Sequence, residues 1–154
     1  MTSIVCRIVE VCVFKTRDGE THFLLLRRAA DEKVYPGIWQ FISGGIEESE
    51  KAFDAALREL GEETRLQPTA FWNVPFTNSF YDHRRDTMNV SPFFVAEVTA
   101  ESEPTISAEH HEYAWFGFEE ANRKLVWPGQ REGLKMVRNY ILSGEEAGKL
   151  TRLF

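Results

Sequence analysis

The chain has 154 residues, of which 43% are hydrophobic and 27% are charged, and its formal net charge at pH 7 is −6. These values are ordinary for a soluble globular protein, and the negative charge argues against a general binder of nucleic acid or of membrane surfaces. A chain of this length forms one domain with a real core, so we expect a single domain over residues 1–154.

Cys6 and Cys12 are the only cysteines in the sequence. Within one strand they would lie about 20 Å apart, which is too far for a disulfide bond. Two free thiols suit a reducing compartment, and no signal peptide or long apolar run is present. The sequence therefore predicts a cytoplasmic protein that is not exported.

Residues 3–14 predict a first strand that is buried on both faces, because Val and Ile occur at positions of both parities. Arg7 and Glu10 interrupt this apolar run. Each side chain could lie at an exposed edge or in a satisfied pair, or it could line a ligand cleft. For Glu10 we favour an exposed edge or a satisfied pair over a ligand cleft, and we keep Arg7 as a candidate for substrate binding.

Asp18-Gly19 predicts a hairpin turn into a second strand, and this strand ends in Arg27 and Arg28. Two arginines that leave a buried strand could bind phosphate groups, although solvated surface arginines are more common. Both are candidates for substrate binding.

A loop with Pro36-Gly37 follows, and then Trp39, Phe41 and Ile42 predict a short strand. Aromatic side chains at this place could stack on a base or a pterin ring. They are more often core residues, and we favour that alternative for Phe41 while keeping both aromatics as substrate-binding candidates.

The next segment predicts an acidic helix over residues 50–64. At about 100° per residue, Glu59, Glu62 and Glu63 share one stripe of this helix. Three further residues form an apolar stripe that can face a core: Phe53, Leu57 and Leu60.

Like charges at this spacing destabilise a helix, and a divalent cation such as Mg²⁺ would relieve the repulsion. Ala52, Ala55 and Ala56 lie one and two turns earlier, where small side chains would leave room for a ligand. The alternative is a solvated acidic helix.

Residues 67–80 predict a strand with a break at Pro75, and residues 87–98 predict another. Tyr81 and the connecting loop could contact a polyphosphate, although solvation is more common for such loops. The basic residues of that loop are His83, Arg84 and Arg85.

After an acidic surface loop at 99–108, two histidines adjoin Glu109 and Glu112. Their spacing differs from zinc patterns such as H-E-x-x-H, so we do not expect zinc. A short helix and an amphipathic helix at 129–142 follow, and the polar tail after Ser143 is expected to fray.

The segment from Gly44 to Leu66 resembles the Nudix box, G-x5-E-x7-R-E-U-x-E-E-x-G-U, in which U is a bulky aliphatic residue. The matching positions are Gly44, Glu50, Arg58, Glu59, Leu60, Glu62, Glu63 and Leu66. Arg65 replaces the glycine near the end of the pattern. Because such a glycine commonly has a positive φ, we expect Arg65 to reduce stability or change the helix end, and to leave the metal chemistry intact.

The order of predicted elements suits a mixed sheet between helices, and the resemblance implies the Nudix fold, an α/β class with an α/β/α sandwich. It also implies hydrolysis that depends on Mg²⁺, with Mn²⁺ as the alternative ion. The expected metal ligands are Gly44 through its carbonyl, Glu59, Glu62, Glu63 and Glu109. Glu109 enters because E-H-x-x-Y-x-W, completed by Tyr113 and Trp115, resembles a motif of triphosphatase-like members, and Glu112 is the reserve.

Among the expected catalytic residues, Glu59 or Glu109 would be the general base, and the sequence leaves that choice open. Glu50 and Arg58 would pair and hold the glycine loop against the helix. The segment R-R-A-A resembles mutator-type triphosphatases, and this favours Arg28 over Arg27 for contact with the phosphates.

W-Q-F-I-S-G-G-I-E-E resembles the dATP and dihydroneopterin triphosphate pyrophosphohydrolases. It implies cleavage of a nucleoside triphosphate to a monophosphate and pyrophosphate. The alternatives are hydrolysis of a dinucleoside polyphosphate such as diadenosine tetraphosphate, and a catalytically silent nucleotide-binding module. The expected partner is a small nucleotide or a related polyphosphate rather than long nucleic acid or a membrane, and a homodimer is an open alternative for the assembly.

Overall fold

A mixed sheet of eight strands organises the chain, and a computed structural model describes it over residues 1–154. The strands are β1 (Ser3–Val5), β2 (Ile8–Arg17), β3 (Glu20–Arg28), β4 (Trp39–Gln40), β5 (Ile42–Gly45), β6 (Ala70–Asp82), β7 (Thr87–Glu97) and β8 (His110–Phe116). The helices are α1 (Ala52–Thr64), α2 (Phe118–Lys124), α3 (Pro128–Met136), which continues into a π-helical segment (Val137–Leu142), and α4 (Glu146–Leu150).

Strand β2 lies at the centre of the sheet. It pairs in parallel with β7 and in antiparallel fashion with β3 and β5. Strand β7 also pairs with β1 and β6, and β3 also pairs with β4 and β8. The predicted first strand is in fact two strands, because β1 pairs with the start of β7 and β2 pairs with its end.

Both faces of the sheet are covered by helices, which confirms the predicted fold class. Val9, Val11 and Val13 of β2 pack in a core cluster with α1. The alternate residues Cys12 and Phe14 pack in a second cluster with α2, α3 and the π-helical segment. This alternation explains why the apolar residues of β2 occupy positions of both parities.

The turn between β2 and β3 has the predicted form. Asp18 and Gly19 have φ values of 52° and 79°, and the flanking residues Arg17 and Glu20 are paired. Positive φ at both central residues is the conformation of a type I′ hairpin, which Asp-Gly favours.

Two alanines of α1 correct a prediction. Ala55 and Ala56 are fully buried in the core cluster beneath the sheet, so they leave no room for a ligand beside the carboxylates. Their small size instead lets the helix approach the sheet closely.

The part of the chain after Ser143 does not fray as predicted. It forms α4, and residues 153 and 154 then run along β6. The amide of Leu153 donates to the carbonyl of Phe71 at 2.8 Å, and the amide of Phe71 donates to the carbonyl of Phe154 at 3.0 Å. The rings of Phe71 and Phe154 stack at 5.8 Å, so backbone hydrogen bonds and an apolar ring hold this segment.

The other predicted boundaries differ by a few residues. Pro75 lies inside β6, where the pairing with β7 shifts register between Asn73 and Thr77. The predicted helix at 129–142 exists, with its last turns widened to the π form. None of the helices combines the length and the apolar character needed to cross a membrane.

Arg65 ends α1 in the left-handed conformation, with φ 61° and ψ 10°, and its amide donates to the carbonyl of Gly61 at 2.9 Å. A side chain in this conformation costs about 1 kcal/mol. We expect Arg65→Gly to raise Tm by about 2–4 °C, the shift that 1 kcal/mol gives in a chain of this size.

Thermal unfolding followed by circular dichroism measures this change. Arg65→Ala is the matched control, because it removes the guanidinium and keeps the Cβ, and it should show no such rise. An equal rise in both variants would attribute the effect to the arginine side chain and contradict the backbone explanation.

Candidate functional site

Three strand ends lie beside the C-terminal half of α1, which carries the acidic stripe of Glu59, Glu62 and Glu63. Strand β5 ends at Gly45, β3 ends at Arg28, and β8 begins at His110. The amide of Ala29 donates to the carbonyl of Glu109 at 2.9 Å, and the amide of Ser107 donates to the carbonyl of Glu63 at 3.2 Å. These backbone bonds hold Glu109 beside the helix.

Arg58 connects the carboxylates of this region. Its Nε and Nη2 donate to Glu50 at 2.8 and 2.9 Å, and its Nη1 donates to Glu59 at 2.8 Å and to Glu62 at 3.2 Å. Its Nη2 also donates to the carbonyl of Gly45 at 2.8 Å. The hydrogen bonds from Arg58, together with one from the Glu47 amide, lower the pKa of Glu50 to about 2.

The Glu59 carboxyl group occupies the space that a side chain at position 44 would fill. A Cβ at Gly44 would overlap the Cδ and both oxygens of Glu59. Burial raises the pKa of Glu59, and the charges of Glu62 and Glu109 add to this effect, while Arg58 opposes it. The structure thus places the Glu59 carboxyl group against the glycine loop, where the charge of Arg58 offsets only part of the effect of burial.

Glu63 and His110 are both buried, with 5% and 4% of their surface exposed. Oε2 of Glu63 and Nδ1 of His110 lie 3.7 Å apart, and neither atom has a hydrogen-bond partner. Burial and the charges of Glu109 and Glu59 raise the pKa of Glu63 to about 8, although Arg28 opposes the rise. Burial, with Arg28 and His111, lowers the pKa of His110 to about 4.

The donor atoms in this region fit a divalent cation. Ligand atoms of Glu63, Glu109 and His110 lie within 4.8 Å of one another. The absent side chain of Gly44 leaves a cradle in which the Glu59 carboxylate can approach the same region. Carboxylate and carbonyl oxygens are ligands that hard cations prefer.

Glu112, the reserve candidate, lies apart from the acidic stripe. Its Oε2 is 3.2 Å from Nη1 of Arg27 and 3.7 Å from Nε2 of His111. The cause is a register shift between β3 and β8, since Arg27 pairs with Glu112 while Arg28 pairs with His110. The motif in the sequence favours Glu109, and this register shift supplies the structural reason that Glu112 lies elsewhere.

Strand alternation separates the two arginines. Leu26 packs in the cluster with α1, as do the residues of that parity, and Arg28 is close enough to Glu63 to lower its pKa. Arg27 lies over the ring of Trp39 at 5.8 Å and donates to the carbonyl of Gly37 at 3.0 Å. Arg28 is therefore the arginine at the acidic stripe.

The remaining substrate-binding candidates lie in different surroundings. Phe41 has 0% exposure, so its ring belongs to the core, as favoured from the sequence, and it is wrong as a substrate-binding candidate. Trp39 is half-buried against Phe116. Tyr81 is exposed and donates its hydroxyl to Asp86 at 2.9 Å, and Arg7 is exposed just before β2.

Glu10 is not at an exposed edge. It is 5% exposed, and the amides of Gln130 and Asn78 each donate to its carboxylate at 3.0 Å. Burial raises its pKa, and these two hydrogen bonds partly offset the rise. The alternative of a satisfied contact was right, with amides rather than a cation as partners.

The chain is similar to known proteins. A family model described as the NUDIX domain matches residues 7–137. The nucleoside triphosphatase NudI of Klebsiella pneumoniae (strain 342) is 31% identical over 120 residues, which cover 73% of this chain and 79% of that protein.

Solved structures share the fold. A NUDIX hydrolase of Listeria monocytogenes superposes with a TM-score of 0.76 at 24% identity, over 90% of this chain and 95% of that chain. The E. coli dihydroneopterin triphosphate pyrophosphohydrolase superposes with a TM-score of 0.67 at 22% identity, over 83% of this chain and 91% of that chain. At these identities the likeness concerns the fold alone.

The contact between Gly44 and Glu59 can be tested directly. We expect Gly44→Ala to displace the Glu59 carboxylate and to weaken Mn²⁺ binding by about tenfold or more, as loss of a positioned ligand does. Titration of Mn²⁺ followed by electron paramagnetic resonance measures the affinity.

Gly45→Ala is the matched control, because the nearest atom to its added Cβ is the carbonyl oxygen of Arg7 at 4.0 Å. It should bind Mn²⁺ as the unmodified protein does. Equal affinities for the two variants would show that the position of Glu59 does not matter for the ion.

Proposed function

Because the chain belongs to the NUDIX domain family of hydrolases, we propose that it cleaves a nucleoside triphosphate to a nucleoside monophosphate and pyrophosphate. The observation that carries this proposal is the grouping of Glu59, Glu62 and Glu63 of α1 with Glu109, together with the space at Gly44 that admits the Glu59 carboxyl group. The substrate class is supported by the 31% identity to a protein named as a nucleoside triphosphatase. dATP and dihydroneopterin triphosphate are the first substrates to examine.

Members of this family generally use divalent metals, and the acidic residues here fit that requirement. We propose Mg²⁺ as the ion, with Mn²⁺ as the alternative. Its ligands would be Glu59, Glu62, Glu63, Glu109 and the carbonyl of Gly44. When bound, such an ion supplies charge neutralisation at phosphoryl oxygens and lowers the pKa of a bound water.

The protein's own charges prepare this site for a polyphosphate. Attack on a phosphoanhydride builds negative charge on the phosphoryl oxygens and on the leaving group, and fixed cations reduce the barrier. Arg28 lies on the α1 side of the sheet near Glu63, and only 19% of its side chain is exposed. We assign it to the phosphate chain of the substrate in preference to Arg27, which lies against Trp39 and Glu112 rather than near Glu63.

The general base is either Glu59 or Glu109, and the two differ in their surroundings. Glu59 accepts a hydrogen bond from Arg58 at 2.8 Å, which leaves one oxygen free. Glu109 is exposed and comes directly before β8. Either carboxylate would take a proton from the attacking water. The pair of Arg58 and Glu50 would hold the glycine loop against the helix.

The identity of the reaction can be tested with a panel of nucleotides. With Mg²⁺ present, we expect dATP or dihydroneopterin triphosphate to yield one equivalent each of monophosphate and pyrophosphate. Anion-exchange chromatography and a coupled pyrophosphate assay measure these products.

The same panel includes diadenosine tetraphosphate as a competing substrate. Cleavage of that compound into two nucleotides without pyrophosphate would favour the dinucleoside polyphosphate alternative. Binding of nucleotides without release of any product would favour a silent binding module, and either result would contradict the proposed reaction.

The assignment of the carboxylates is tested by Glu62→Gln. The side chain of Glu62 is 59% exposed, so an isosteric amide should leave the fold intact. Loss of one charged ligand should reduce kcat by about a hundredfold or more, as expected when transition-state charge stabilisation is removed.

Glu119→Gln provides the control, because Glu119 is an exposed residue of α2 on the opposite side of the sheet. Steady-state turnover and thermal unfolding should be measured for both variants. Normal turnover by Glu62→Gln would place the active carboxylates elsewhere in the chain.

A further inference from the structure

Two buried polar atoms face each other without a partner. Oε2 of Glu63 and Nδ1 of His110 are 3.7 Å apart, and neither makes a hydrogen bond. The side chain of His110 is only 1% exposed and that of Glu63 is 7% exposed, so both are shielded from bulk solvent. Two buried polar atoms without partners are energetically costly, and a hydrogen bond between them would remove that cost.

Gln40 decides which nitrogen of His110 carries the proton. Nε2 of the Gln40 side chain lies 3.3 Å from Nε2 of His110. An amide nitrogen can only donate, so Nε2 of the imidazole accepts and its proton is on Nδ1. Gln40 is itself buried, and it is held in β4 by pairing with Leu26.

The protonated Nδ1 therefore points at the Glu63 carboxylate. We propose that His110 is a positioning residue, which donates its Nδ1–H to Oε2 of Glu63 and leaves the other oxygen of Glu63 free to bind a divalent ion. The inference rests on the proposed function, since it takes the carboxylates of α1 to be ion ligands.

The observed separation is roughly 0.5 Å longer than a hydrogen bond, so a small rotation of the Glu63 carboxylate closes it. A partner of this kind fixes the orientation of a ligating carboxylate. Direct ligation by His110 would require a lone pair at Nδ1, and the contact with Gln40 removes that lone pair. The register shift between β3 and β8 places His110 at this point, opposite Arg28.

Two substitutions separate the roles of the two ring nitrogens. His110→Asn places an amide nitrogen where Nδ1 was, and His110→Gln places one where Nε2 was. With Mn²⁺ alone as the probe and paramagnetic resonance as the readout, His110→Gln should weaken binding by about tenfold or more, while His110→Asn should stay within about threefold of the unmodified protein.

Glu62→Gln is measured in the same titrations to separate this inference from the proposed function. If Glu62→Gln weakens Mn²⁺ binding and His110→Gln does not, the positioning role is overturned and the ion site stands. If neither variant changes the affinity, the proposed ion site itself is wrong. A His110→Asn variant as weak as His110→Gln would also overturn the role of Nδ1.

Nitrogen-15 NMR of the unmodified protein gives an answer that does not depend on any variant folding. The protein has four histidines, and His110→Asn identifies the signals of His110 by their loss. We expect a protonated Nδ1 and an unprotonated Nε2 before and after addition of Mg²⁺. An unprotonated Nδ1, or an Nδ1 signal that moves strongly when Mg²⁺ binds, would show direct ligation and overturn the proposal.

Discussion

The crowding of carboxylates at the end of α1 is the constraint on which the rest of the site depends. Glu62 and Glu63 lie in the last turn of the helix, where no basic residue is present. The helix dipole is negative at that end, so it adds to the repulsion among these side chains. A helix selected for stability alone would place lysine or arginine there, and the arrangement is therefore explained by function rather than by folding.

Arg58 and the two glycines make this crowding tolerable. One guanidinium contacts three glutamates and the carbonyl of Gly45, so it links the loop to the helix while it offsets part of the charge. Gly44 then admits the Glu59 carboxyl group to space that any other residue would fill. The residues just before and just after this region, Ser49 and Arg65, both have positive φ, which indicates that the loop and helix ends are held in conformations that ordinary residues disfavour.

The sheet divides the polar residues of the protein between two faces. Arg28, Gln40 and His110 lie on the α1 side. There the Gln40 amide contacts the His110 ring, and the charge of Arg28 helps to lower the pKa of His110. Glu10 lies on the other side, where the amides of Asn78 and Gln130 satisfy it. The burial of both groups follows from strand alternation, but the Glu10 carboxylate has hydrogen-bond partners while Nδ1 of His110 and Oε2 of Glu63 have none.

The sequence by itself determined the local features: the helix that carries Glu59, Glu62 and Glu63, the Asp18-Gly19 turn, and the family, because periodicity and short motifs depend on neighbours along the chain. Tertiary structure alone decided that Ala55 and Ala56 face the core, that Glu112 lies beside Arg27 and His111, and that residues 153–154 pack on β6. These outcomes depend on pairings between strands far apart in sequence and on one register shift in β8. Such pairings are fixed by the packing of the whole sheet, which no local pattern encodes.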